Sequence, residues 1–333
     1  MAKSDLLILT KMKLTTLNRF SEPLEREHLI ISVGLGESAL GRKPFLFDIN
    51  SKQFVVIGID LSRTYVQVVI TDLKLSILAN ERFFMSTASI PFRAVETIKE
   101  TVNRLIADLG VERTKVLGVG LGTVGPLDLD KGIMTHPHNF PTPEWSNLSI
   151  KSILEQELKL PVDLDNGANT ALLAESLFGD GKCHQNIVYI NCGIGIRTGA
   201  SSAGTIVRTV NDAEDAFGHM IVDFDGEPCS CGNYGCVECY STILSIIENF
   251  VSEYKKGRKT LLAKSVAEIQ FVDICNAAEA NDELAKEVIV DAATVLGIGL
   301  ANYINLLNPN LIILSGPLIN NRNYFIKSVS TLP

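Results

Sequence analysis

The chain has 333 residues, of which 46% are hydrophobic and 20% charged, a globular composition large enough for two to three domains. Its net charge is −8, yet residues 1–50 alone carry seven Lys/Arg against six Asp/Glu. The acidic remainder excludes a general nucleic-acid-binding body, so any contact with DNA is expected in the first segment. No apolar run reaches the length of a membrane span, and Met1–Asp5 lacks the order of a signal peptide, so a cytoplasmic protein with no membrane partner is expected.

In chain order, residues 4–10 and 14–19 are expected as helices around a turn at 11–13. Leu17, Phe20, Leu24 and Leu29 keep a rough helical period, and Pro23 is expected to kink or end the second helix. Residues 34–44 are punctuated by glycine and read as a loop. Residues 54–59 and 65–71 are β-branched and apolar and read as strands, with a third at 75–79. An amphipathic helix follows at 91–109, with Val95, Ile98, Val102, Leu105 and Ile106 on one face. Then come a strand at 116–120, a helix at 149–158, a short strand at 162–164 and a helix at 169–178. The second half repeats the strand and glycine-turn pattern. Strand 187–191 ends in Gly193-Ile194-Gly195, helix 283–307 leads into strand 311–314, and Ser315-Gly316-Pro317 closes the turn. This alternation predicts an α/β fold with mixed sheets and two similar lobes.

Seven cysteines in a chain without a signal peptide argue against a disulfide framework. Four of them fall within residues 229–239, and His219, Cys229, Cys231 and Cys236 offer one imidazole and three thiolates. Four protein ligands leave no open position, so the spacing predicts a structural zinc ion. Gly226, Gly232 and Gly235 are expected to let the backbone wrap the metal. Cys239 is expected on a helix beside the cluster, and Cys183, Cys192 and Cys275 as buried small apolar residues.

The motif His219-Met220, Cys229-x-Cys231-Gly232-x-x-Gly235-Cys236-x-Glu238 closely resembles the signature of the ROK family of repressors and sugar kinases. So do Val56-x-Gly58-Ile59-Asp60, the glycine-rich stretch from Gly118 to Asp128, Asn139-Phe140, and Asp165-Asn166-Gly167-Ala168-Asn169. The stretch from Gly34 to Pro44, and Asn166-Gly167-Ala168-Asn169 followed by Val188 to Gly195, are especially similar to xylose-type repressors. The resemblance implies a two-lobed, actin/hexokinase-like fold. It also implies sugar contacts from Asn139, Asn166, His219 and Glu238, with Ala216 where the family has a further Glu.

Kinase members of this family use an Asp as general base where this sequence has Gly167, which has no side chain to accept a proton. Ser62 and Arg63 replace glycines of the first phosphate loop. Ile194 and Arg197 replace small or hydroxyl residues of the second, and Ser315 a glycine of the adenosine turn. Side chains there obstruct close approach of the backbone to phosphate, so ATP binding is not expected. The N-terminal segment resembles the last two helices and wing of a winged helix-turn-helix, here without the helix that ordinarily precedes them. Thr15, Thr16, Asn18 and Arg19 would face operator DNA, with Arg42 and Lys43 in the wing. The resulting expectation is a sugar-responsive repressor, homodimeric, with no kinase activity. Three segments are expected: 1–50 (partial winged helix-turn-helix and linker), 51–170 (N-terminal lobe) and 171–333 (C-terminal lobe with the zinc site, shortened at its end). An ATP-dependent, glucokinase-like sugar kinase is the alternative.

Overall fold

The structure, a computed structural model, describes residues 1–36, 43–137, 139–208, 217–320 and 325. Its elements in chain order are α1 (Lys3–Thr10), α2 (Leu14–Arg26), β1 (Ile30–Leu35), β2 (Phe45–Ile49), β3 (Val55–Leu61), β4 (Tyr65–Asp72), β5 (Ile77–Phe84), α3 (Pro91–Asp108), β6 (Val116–Thr123) and the two-residue strands β7 (Leu127–Asp128) and β8 (Ile133–Met134). There follow α4 (Ile150–Leu158), β9 (Val162–Asn166), α5 (Gly167–Phe178), β10 (Ile187–Cys192), β11 (Ile196–Ser202), β12 (Thr205–Ile206), α6 (Val237–Tyr240), α7 (Ile243–Lys255), α8 (Phe271–Glu279), α9 (Glu283–Leu307), β13 (Leu311–Ser315) and α10 (Pro317–Asn320). No helix among the described residues is long and apolar enough to cross a membrane. The chain divides into two compact units. One holds Met1–Thr123, Asp130–Met134 and Phe140–Leu164, the other Val124–Leu129, Thr135–Asn139 and Asp165–Pro333.

The first unit is built on a five-stranded sheet in the order β5-β4-β3-β6-β9. β3 pairs antiparallel with β4 and parallel with β6. Val55, Ile57, Ile59 and Leu61 are buried at every second position of β3, as are Val66, Val68 and Ile70 of β4, which is the period of a sheet with one face in a core. β5 begins two residues later than the sequence suggests. Asp72 accepts the amides of Lys74 (2.8 Å) and Ser76 (2.9 Å), and this turn places Leu75 at φ 60°, outside strand geometry.

Ahead of this sheet, α1 and α2 are joined by a short turn and followed by the antiparallel hairpin β1–β2. Met1 extends the hairpin, its carbonyl accepting from the Phe47 amide at 2.8 Å. β1 and β2 flank the segment 34–44 expected as a loop and enter it only at Gly34 and Leu35; its residues 37–42 lie outside the described residues. α2 runs through Pro23 to Arg26 rather than stopping there. Pro23 lies in the last turn, where it deprives only the Arg19 carbonyl of its helical donor.

The second unit carries the four-stranded sheet β12-β11-β10-β13, in which β10 pairs antiparallel with β11 and parallel with β13. An antiparallel pair beside a parallel third strand is thus common to both sheets, as the recurrent glycine turns suggest. Ile187, Val188, Tyr189 and Ile190 are all buried, because central strand β10 is covered on both faces. One face receives Ala168 and Leu172 of α5. The other belongs to a core with Phe217, Val237, Ile246, Phe250, Ile274, Leu284, Ile289 and Leu296, drawn largely from α7, α8 and α9. Asp282 caps α9 by accepting from Ala285 N at 2.9 Å, and Asn308 at φ 44° ends it, matching the expected limits of this helix. Cys192 and Cys275 are buried as expected. Cys183, expected buried, is exposed at the end of a single 3-10 turn after α5.

Candidate metal and ligand site

The cysteine cluster is assembled by backbone hydrogen bonds over a short stretch. Gly235 N donates to Glu227 O at 2.7 Å, Cys229 N to Asn233 O at 2.8 Å, and Val237 N to Met220 O at 3.0 Å. These bonds fold residues 219–237 back on themselves. Gly235 sits at φ 65°, and a Cβ there would run into the Asp223 carbonyl. Gly232, at φ 91°, has open space around it and is needed only for its backbone angle. The result brings the ligand atoms of His219, Cys229, Cys231 and Cys236 within 4.8 Å of one another. Cys229 Sγ lies 3.5 Å from His219 Nδ1, and Cys231 Sγ lies 3.7 Å from Cys236 Sγ. A tetrahedral ion with metal–sulfur bonds of about 2.3 Å requires sulfur–sulfur separations of about 3.8 Å, so this set fits such an ion as it stands.

One ligand thiol, that of Cys229, is poised for ionisation. Burial opposes ionisation of Cys229, but hydrogen bonds from the Cys231 amide and neighbouring thiols bring it down to about 7. Burial, together with its thiol neighbours, pushes Cys236 up. Cys239 stands on α6 as expected. Burial and its hydrogen bond to Cys229 push it up to about 12.

Glu238 begins at the same loop. Its amide donates to Gly218 O at 2.8 Å, and its Oε1 accepts from Ile196 N, at the start of β11, at 3.1 Å. Its Oε2 lies 3.8 Å from His219 Nδ1. The carboxylate therefore links the cluster to the turn Gly193-Ile194-Gly195. Asn139 (φ 56°) and Glu238 share the wall of a cavity of about 590 Å³, which continues past Cys229 and Cys239 to Glu248 and Asp291. Asn166 is not part of that wall. It is buried as the N-cap of α5, its side chain accepting from Ala168 N at 2.8 Å and Asn169 N at 3.4 Å.

Gly167 is the first residue of α5. The nearest carboxylate in sequence, Asp165, is held by both terminal nitrogens of Arg208 at 2.9 and 2.7 Å. Ser62 and Arg63 are both buried where glycines were expected in a phosphate loop. Ala216 and Arg42 lie outside the described residues. On α2, Thr15 and Arg19 are exposed, Thr16 is half-buried, and half-buried Asn18 accepts a hydrogen bond from Lys3 Nζ at 3.3 Å. Lys43 is exposed, two residues before β2. Sequence reasoning did not anticipate the bonds Glu238–Ile196 and Asp165–Arg208. Each spans more than 40 residues, and no local motif encodes such a distance.

The chain belongs to the ROK family, whose model matches residues 56–332. It is 27% identical over 321 residues to the xylose repressor of Bacillus subtilis, covering 96% of this chain and 79% of that protein. It is 32% identical over 223 residues to a glucokinase of Halalkalibacterium halodurans, covering 66% of this chain and 67% of the enzyme. Among solved structures, a ROK family transcriptional regulator described as a homologue of the E. coli MLC protein superposes with a TM-score of 0.82 at 24% identity, covering 99% of this chain and 82% of that one. A ROK family glucokinase from Streptomyces griseus, in complex with glucose and AMPPNP, gives a TM-score of 0.66 at 26% identity, covering 83% of this chain and 87% of that one. The fold is thus the actin/hexokinase-like α/β fold of this family.

Proposed function

We propose that the protein is a sugar-responsive, DNA-binding repressor of the ROK family that works in the cytoplasm as a homodimer and does not phosphorylate its sugar. One observation carries this reading. Likeness to the curated repressors covers 90–96% of the chain, whereas likeness to the curated glucokinases covers 66–67%. The family model begins at residue 56, and ahead of it α1, α2 and the β1–β2 hairpin have the order of a helix-turn-helix followed by a wing, which supports the regulator reading. On this reading Thr15, Thr16, Asn18 and Arg19 of α2 face operator DNA, with Arg42 and Lys43 in the wing.

The absence of kinase chemistry follows from the residues at the base position. Gly167 has nothing to take a hydroxyl proton with, and Asp165 is committed to Arg208. The metal is a structural zinc held by His219, Cys229, Cys231 and Cys236. When bound it supplies a rigid fourfold anchor and no open coordination position. Its place beside Glu238 supports a sugar site formed by Asn139, Asn166, His219 and Glu238. Sugar binding would favour one of two conformations that differ in operator affinity.

Two assays test the proposal: anisotropy titration of DNA from beside sugar-utilisation genes, with and without pentoses and hexoses, and a coupled ATP assay over the same sugars. Operator binding relieved by a sugar, without ATP turnover, is expected. Sugar-dependent ATP turnover without DNA binding would replace the regulator by the kinase.

A further inference from the structure

Cys239 has no part in a four-ligand zinc site. It stands on α6, three residues after Cys236, and its amide donates to the Cys236 carbonyl at 3.0 Å. Its thiol donates to the Pro228 carbonyl at 3.8 Å, one peptide bond from Cys229, and is hydrogen-bonded to the Cys229 thiol. It does not belong to the group whose ligand atoms all lie within 4.8 Å of one another. The loop therefore holds a further sulfur beside Cys229 that the metal does not need.

Two further observations set Cys229 and Cys239 apart as a pair. Both are half-buried and line the cavity of about 590 Å³, so small solutes reach both sulfurs. The other thiols have different surroundings. Cys231 Sγ lies 3.7 Å from Cys236 Sγ, and Cys236 is fully buried. Only Ser230 separates Cys229 from Cys231, so a bond between them would close a small, strained ring. A bond between Cys229 and Cys239 spans residues 229–239 and joins sulfurs that are already hydrogen-bonded.

We propose that Cys229 and Cys239 form a modification site, a thiol pair that a hydroperoxide closes to a disulfide and a thiol reductant reopens. In the first step the Cys229 sulfur attacks the peroxide and the O–O bond breaks. Cys229 becomes a sulfenic acid, and its proton leaves with the departing hydroxide as water. In the second step the Cys239 sulfur attacks the Cys229 sulfur, the S–O bond breaks, and hydroxide departs with the Cys239 proton as water. Two thiols give up two electrons and two protons, and hydrogen peroxide becomes two molecules of water. The consequence rests on the zinc reading: the disulfide takes one ligand from a fourfold anchor and frees the metal. His219, placed 3.8 Å from Glu238, then loses the ion that fixes its ring. Oxidation thereby reaches the proposed sugar contacts through the metal.

Zinc per chain is measured first on the whole protein, which is then treated with hydrogen peroxide. Chymotryptic cleavage at Tyr234 under non-reducing conditions, with mass spectrometric fragmentation, assigns the linked cysteines, and a chromophoric chelator reads zinc release. The expected product is a Cys229–Cys239 link with loss of the zinc, both reversed by dithiothreitol and added zinc. Cys239→Ala keeps all four ligands and should match the wild type in zinc content and melting temperature before oxidation. After peroxide its sulfenic acid has no partner thiol, so Cys229 should run on to sulfinic acid and dithiothreitol should fail to restore zinc capacity. Cys239→Ser, close in size to the wild type, should behave in the same way. A Cys231–Cys236 link as the main product, or full recovery of zinc capacity in Cys239→Ala, would overturn the proposal. A chain that takes up no zinc yet yields the Cys229–Cys239 link keeps the thiol pair and removes the zinc reading. A zinc-bearing chain that never forms this link does the reverse.

Discussion

Replacing Glu238 separates its structural role from its role toward a sugar. Its Oε1 accepts the Ile196 amide at 3.1 Å, and Ile196 is fully buried. Glu238→Ala leaves that amide without an acceptor, at a cost of about 1–3 kcal/mol. Glu238→Gln retains an oxygen at the same place, so this loss should largely disappear. Both variants lose the negative charge, and with it a charge-assisted hydrogen bond to a sugar hydroxyl of about 1.5–3 kcal/mol, which weakens binding roughly 10- to 150-fold. Urea unfolding should therefore place Glu238→Gln near wild type and Glu238→Ala well below it, while calorimetry shows both impaired toward sugar. Equal unfolding midpoints for the two variants would refute the structural half of this reasoning. Unchanged sugar affinity in Glu238→Gln would remove Glu238 from the site.

Other substitutions bear on the metal loop, the second core, the DNA contact and the lost base. Gly235→Ala should reduce zinc per chain, measured by metal analysis, because its Cβ collides with the Asp223 carbonyl; Gly232→Ala should keep its zinc and lose only about 1 kcal/mol of stability to its positive φ. Asp282 accepts from Thr260 Oγ1 (2.6 Å), Leu261 N (2.5 Å) and Ala285 N (2.9 Å), so Asp282→Ala should cost about 2–4 kcal/mol in urea unfolding. Burial opposes ionisation of Asp282, but these bonds prevail and hold its carboxyl below its usual value; its stabilisation is therefore full above about pH 4 and fades as pH falls through the folded value, closing the gap to the variant. Arg19→Ala should weaken operator binding and reduce the salt dependence of the affinity by about one ion, as read by anisotropy at several salt concentrations. Gly167→Asp should yield no sugar-dependent ATP turnover, since Ser62, Arg63, Ile194 and Arg197 remain; turnover would show that the base alone was missing.

What was legible in the sequence is what short-range chemistry determines. The metal ligands lie within 18 residues, and the glycines between them fix the loop, so spacing alone identified the cluster. The limits of α9 were legible because Asp282 and Asn308 are local start and stop signals. The start of β5 was missed because one Asp turn shifted it, and the stop expected at Pro23 failed because a proline in the last turn breaks only one bond. Helices α7 and α8 carry no chemical motif and drew no expectation, although Thr242 caps α7 in the ordinary way. The burial of Arg197 and the tether of Glu238 depend on strands brought together by the fold.

Two departures from the family's kinase pattern lie on α5 and β11. Gly167 is the first residue of α5, and Arg197 stands on β11 opposite Asn191. At Gly167 the side chain that would take the proton is absent, and the neighbouring Asp165 is held by both terminal nitrogens of Arg208. In a kinase the same location must tolerate the triphosphate of ATP only transiently, alongside a base that takes a proton. On the regulator reading a sensor needs no proton acceptor, so the loss of the base costs it nothing. On the proposed reading the Cys/His loop would be kept under either chemistry, because positioning His219 and Glu238 against sugar hydroxyls would serve binding whether or not transfer follows.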